Sequence, residues 1–189
     1  PPPDLDLQLN GLTQRFKQFG DANSLLFHSR KVYELGCNWK VFVDNYLDGG
    51  YHVSTIHPGL ASELNTQAYA IESFDRFSIQ SCPSSSNDRL GGGALYAFAY
   101  PNLMINRYGN MMDINVVVPL STESCRVIFD WYAEPGLSED FITESLKSSE
   151  QVQKEDISFL LREGKKQVNL NDARQSIIHI FNHNYIVDG

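Results

Sequence analysis

The run "ALYAFAYPNLMINRYGNMMDINVVVPLSTESCRVIFDWYAE", beginning at Ala94, limits the fold more than any other part of the chain. Apolar and β-favouring residues alternate along it, and turn signals break it at Pro101-Asn102, Tyr108-Gly109-Asn110 and Ser121-Thr122-Glu123. It predicts three or four antiparallel strands. Residues 24–37 predict one or two more, and "AYAIESFDRFSIQSC" (68–82) predicts another, followed by an exposed loop "PSSSNDRLGGG". Helical signals flank these strands. Trp39, Phe42, Val43, Tyr46 and Leu47 stand at three-and-four spacing behind Asn38 as an N-cap, and Pro58 disfavours α geometry at His57. A long helix starts at Ser138 with acids in its first turn and ends in Lys165-Lys166, which suits the macrodipole at both ends. "DARQSIIHIFNHNYIV" predicts a last, shorter helix. Strands followed by helices argue an α+β domain with helices on one face of an antiparallel sheet, leaving a concave face that suits a small ligand.

At 189 residues the chain has the length of one well-buried domain. The opening "PPPDLDLQLN" has neither a basic start nor an apolar core, so residues 1–23 read as a linker-like segment, as if the chain began mid-protein, and residues 24–189 as the domain. Hydrophobic residues at 42% and charged residues at 20% are globular values, and no apolar run reaches membrane-spanning length. The sequence therefore reads as a soluble, intracellular protein. A net charge of -8 leaves no basic stripe for phosphates, which argues against nucleic acid and anionic membrane surfaces as partners. Cys37, Cys82 and Cys125 stand far apart, with no C-x-x-C or C-x-H pair from which a zinc knuckle or iron–sulfur cluster could be built. They read as reduced thiols.

Five positions separate His52 from His57 in "GGYHVSTIHPGL". Mononuclear iron that must react with O2 is commonly held by two histidines and one carboxylate on one face. On an ideal helix, positions i and i+5 lie about 140° apart, so the two could share a metal only where the helix widens or breaks, as Gly49, Gly50 and Pro58 would allow. Two readings stand: metal ligands, or one packed and one solvated histidine. His179 and His183 have the better same-face spacing but no acidic cluster precedes them, which favours a capping or surface role. The carboxylate candidate is Asp156, whose helix neighbours Val152, Gln153, Phe159 and Leu160 form a largely apolar stripe. A carboxylate there needs a metal or an ion pair with Lys or Arg. Glu155, one step round the helix, reads as solvated.

"CNWKVFVDNYLDGGYHVSTIHPGLAS", "YPNLMINRYGNMMDINVVVPL", "CRVIFDWY" and "SLKSSEQVQKEDI" together resemble the catalytic domain of Rieske-type non-haem iron oxygenase α-subunits, in the choline monooxygenase branch, over about residues 27–160. The resemblance implies a helix-grip (START/Bet v1-like) fold, an antiparallel sheet wrapped around a long C-terminal helix. It implies mononuclear Fe(II) bound by His52, His57 and Asp156, with Asn45 lining the iron pocket. Many members carry an acid three residues before the first histidine that bridges to the neighbouring subunit's cluster. Gly49 stands there, with Asp48 one step earlier the acid nearest that place. The family's Rieske [2Fe-2S] domain has C-x-H and C-x-x-H motifs, and this chain has neither, so electrons are expected from a ferredoxin or reductase and Rieske centre outside it. Alone, the chain is expected to be unable to turn over.

The implied reaction uses O2 to oxidise choline to betaine aldehyde, or to demethylate a related quaternary amine. A quaternary ammonium cannot hydrogen-bond and is best held by aromatic faces. Phe98, Tyr100 and Trp131 are the substrate-binding candidates, with core packing as the competing explanation. Strand alternation puts Tyr96, Phe98 and Tyr100 on one face and turns Trp131 and Tyr132 opposite ways. Intact family members are commonly homotrimers, and cytoplasm or plastid stroma is the expected compartment. A non-catalytic subunit, or a metal-free ligand-binding module of the same fold, is the alternative.

Overall fold

The computed structural model describes residues 4–48, 57, 68–83 and 93–163. Seven strands form one antiparallel sheet: β1 (Leu26–Leu35), β2 (Ala70–Ser73), β3 (Phe77–Pro83), β4 (Gly93–Ala99), β5 (Leu103–Tyr108), β6 (Met111–Pro119) and β7 (Cys125–Ala133). Their order is β1-β7-β6-β5-β4-β3-β2, so β2 to β7 run as a meander and β1 returns to pair with β7. Helix α1 is Leu5–Phe16, α2 is Trp39–Leu47 and α3 is Glu139–Glu163.

Alternation builds the sheet as expected. Along β7, Cys125, Val127, Phe129, Trp131 and Ala133 are buried while the residues between them are half-buried. The hairpin turns fall at the three signalled places, and Gly109, with φ 51°, takes the left-handed conformation that closes the β5–β6 turn. The 68–82 stretch divides into β2 and β3, because the backbone folds back at Phe74, whose N–H donates to the Phe77 carbonyl at 2.9 Å. Asp75 and Arg76 occupy that turn.

One face of the sheet packs on α2 and α3. Phe98, Met104, Val117, Val127, Phe129 and Trp131 meet Phe42 and Val43 of α2 and Leu160 of α3 in one apolar cluster. Asn38 caps α2 as expected, accepting the Lys40 N–H at 3.0 Å, and Ser138 caps α3, accepting the Phe141 N–H at 3.2 Å. Ser149, Gln153, Ile157 and Leu160 recur at three-and-four spacing along α3 and turn it toward the sheet.

The other face carries α1, where the sequence predicted a linker-like segment. Leu12 is buried against Phe77, Ile79, Leu95, Ala97 and Ala99, with Leu9 and Phe16 beside it. Leu5, Leu9, Leu12 and Phe16 recur at helical spacing, which gives the helix an apolar stripe. Gly11 permits the approach, since a Cβ there would lie 3.1 Å from the Phe77 ring. Arg15 pairs with Glu72 of β2 at 2.7 Å. The expected last helix, with His179 and His183, lies outside the described residues. No helix among the described residues is long and apolar enough to cross a membrane.

Candidate metal centre

On the inner face α2 and α3 bring an amide and a carboxylate together, and His57 adds an imidazole. Asp156, on α3, has a side chain only 14% exposed. Its Oδ1 accepts the Asn45 Nδ2 amide of α2 at 2.9 Å and lies 3.0 Å from His57 Nε2. His57 is 1% exposed, and its second nitrogen, Nδ1, lies 2.8 Å from Glu155 Oε2. The other oxygen of Glu155 accepts Gln151 Nε2 at 2.8 Å, which braces it from the preceding helical turn. A half-buried carboxylate is thus compensated by two polar groups.

Electrostatics follow from this enclosure. Burial opposes protonation of His57, but the hydrogen bonds and negative charge of Asp156 and Glu155 outweigh it and raise its pKa above the ordinary value. Burial pushes Glu155 upward, and its bonds to Gln151 and His57 outweigh that and hold it below the ordinary carboxylate value.

The donor set suits a cation. A ligating histidine turns one nitrogen to the metal and donates its other N–H to a carboxylate, which fixes tautomer and ring orientation. Glu155 on Nδ1 with Asp156 on the Nε2 side matches that division. Asn45 holds the carboxylate from a third direction. Among the described residues no group of three His, Cys, Asp or Glu side chains is arranged to hold a metal. His52 lies outside the described residues.

Other expected site residues fall in distinct places. Asp48 is the C-cap residue of α2. Phe98 and Trp131 are both buried on the inner face, Phe98 near Tyr46 and Trp131 stacked on Phe129 with ring centroids 5.5 Å apart. Tyr132 points to the opposite face and meets Phe27, as alternation required. Tyr100 departs from expectation. It lies just past β4 in the turn to β5 and is 67% exposed, because the strand and its alternation end at Ala99. It does not share the interior with Phe98. Glu155 is the residue that sequence reasoning missed.

Residues 22–167 match the family described as Ring hydroxylating alpha subunit (catalytic domain), and the chain belongs to that family. It is 49% identical over 151 residues to the chloroplastic choline monooxygenase of Arabidopsis thaliana, covering 76% of this chain and 36% of that protein. It is 41% identical over 140 residues to the chloroplastic choline monooxygenase of Beta vulgaris, covering 70% of this chain and 31% of that protein. The chain therefore spans about a third of the length of these curated relatives. A solved quaternary ammonium Rieske monooxygenase in complex with an inhibitor shares the fold, with a TM-score of 0.76, 24% identity and coverage of 87% of this chain and 46% of that one.

Proposed function

We propose that this chain is the catalytic domain of a mononuclear-iron monooxygenase that oxidises choline or a closely related quaternary ammonium compound. His52, His57 and Asp156 would hold Fe(II). The observation that carries the reading is the convergence of His57 Nε2 and the Asn45 amide on one oxygen of Asp156, with Glu155 on the far nitrogen of His57. Membership of the oxygenase family and the likeness to choline monooxygenases support it.

When bound, the iron would supply O2 activation, using electrons from a Rieske [2Fe-2S] centre and its ferredoxin or reductase. The chain's own residues prepare the site. Glu155 holds the proton on His57 Nδ1 and so keeps Nε2 facing Asp156. Asn45 fixes the Asp156 carboxylate through its Oδ1. Phe98 and Trp131 offer aromatic faces to a quaternary cation and exclude water around it. Asp48, the C-cap residue of α2, would be the acid that serves electron entry.

In the balanced reaction one oxygen atom enters a C–H bond of the substrate and the other leaves as water, with two electrons and two protons consumed. Hydroxylation at the alcohol carbon of choline gives a hydrate, which loses water to betaine aldehyde. The sheet with α3 across its inner face is assigned to the helix-grip class. A homotrimer and a plastid location are proposed for the intact protein, the latter from the chloroplastic relatives.

The test is anaerobic loading with Fe(II), followed by choline, glycine betaine or L-carnitine while the spectrum of the iron is recorded. A shift on adding choline is expected. A spectrum indifferent to every quaternary amine would contradict the substrate class.

A further inference from the structure

The inner face of the sheet is not uniformly apolar. Tyr96, Asn106, Asp113 and Trp131 are successive cross-strand partners, and Asn115 stands in the next row between Met104 and Phe129. Asn106, Asp113 and Asn115 are each buried. Tyr46 Oη donates to Asn106 Oδ1 at 2.7 Å, and the Nδ2 amides of Asn106 and Asn115 reach Asp113 Oδ1 at 3.2 and 3.4 Å. Tyr46 follows Asn45, so adjacent residues of α2 touch this polar band and the candidate metal centre.

Asn115 Oδ1 and Gln153 Nε2 are among the buried atoms in and near this band that have no hydrogen-bond partner among the described residues. Their residues are 3% and 5% exposed. Buried polar atoms are rarely left unmatched in a native fold, and leaving one so is costly. Asn115 cannot resolve the mismatch by turning its amide over, since that would set its oxygen against Asp113 Oδ1. Contacts of α3 with these rows fall within one helical turn before Gln153. Trp131 Nε1 donates to Ser149 Oγ at 3.4 Å, and Lys31, the register partner of Phe129, pairs with Glu150. Gln153 is one helical turn beyond Ser149 and one turn before Asp156.

We propose that Asn115 and Gln153 recognise the substrate's hydroxyl group. The O–H of a small quaternary ammonium alcohol donates to Asn115 Oδ1, and its oxygen accepts from Gln153 Nε2. The inference rests on the functional reading above and adds a selection rule to it. A carboxylate in place of the alcohol would meet an acceptor at Asn115 with Asp113 behind it, so the alcohol is preferred over the corresponding acid. Asp113 is a positioning residue that orients the Asn115 amide.

The experiment is calorimetric titration of the full chain with choline and with ethyltrimethylammonium, which carries the same cation without the hydroxyl. Choline is expected to bind roughly tenfold more tightly. Gln153→Leu and Asn115→Ala, each checked for a native circular dichroism spectrum, are expected to erase that preference by weakening choline while leaving ethyltrimethylammonium unchanged. Equal binding of the two cations to the wild-type chain would overturn hydroxyl recognition alone, and needs no variant to fold. A choline preference that survives in both variants would overturn the assignment to these residues. Binding of neither cation would overturn the quaternary-amine reading and this proposal with it.

Discussion

Oδ1 of Asp156 serves two partners at once, and that sharing depends on residues of unequal visibility in the sequence. Asp156 stood out because an acid within an apolar helical stripe needs compensation, and His57 because it stands five positions after His52, with the family resemblance joining the two in one site. Glu155 did not. One residue turns a helix by about 100°, which points it away from the stripe, and only the position of His57, brought in from a distant segment, makes it a partner. Glu155→Gln keeps the size but loses the charge that holds the Nδ1 proton. It is expected to weaken Fe(II) binding about 10- to 100-fold, measured by anaerobic titration, with little change in melting temperature. Asn45→Leu removes the amide that holds Asp156 and is expected to weaken iron in the same range. Tyr100 was misplaced because alternation was extended one residue too far, across the end of β4.

Among the elements, β4 to β7, α2 and the start of α3 could be read from local pattern and caps, since turn chemistry and alternation are properties of neighbouring residues. Helix α1 was hidden behind the three prolines that precede it and a polar opening, although its leucines keep helical spacing. Leu12→Ala is expected to cost about 2–3 kcal/mol in chemical denaturation, because it opens a cavity against Phe77 and Ile79. An unchanged midpoint would return the segment to a linker. At the other end of the fold, Ser138→Ala removes the cap of α3 and is expected to cost about 1 kcal/mol, read from the same denaturation curves.

For the whole molecule, the antiparallel sheet was legible but the return of β1 to β7 was not, since nothing local encodes a pairing between residues a hundred positions apart. That pairing carries the Arg30–Asp130 ion pair on its outer face. The Arg30 guanidinium holds the Asp130 carboxyl below its ordinary value of 3.8. A depressed carboxylate contributes stability above its unfolded pKa and loses it as pH falls through the folded value. Wild type should therefore exceed Arg30→Ala in melting temperature at neutral pH, with the gap closing as pH drops below about 4. A gap independent of pH would show that packing, not charge, sets it. The central claim is that His57 and Asp156 are ligands of one iron. Anaerobic Fe(II) titration with metal analysis of wild type, His57→Ala and Asp156→Ala tests it most directly. One iron per wild-type chain is expected, and almost none in either folded variant; unchanged iron in both variants would contradict the account.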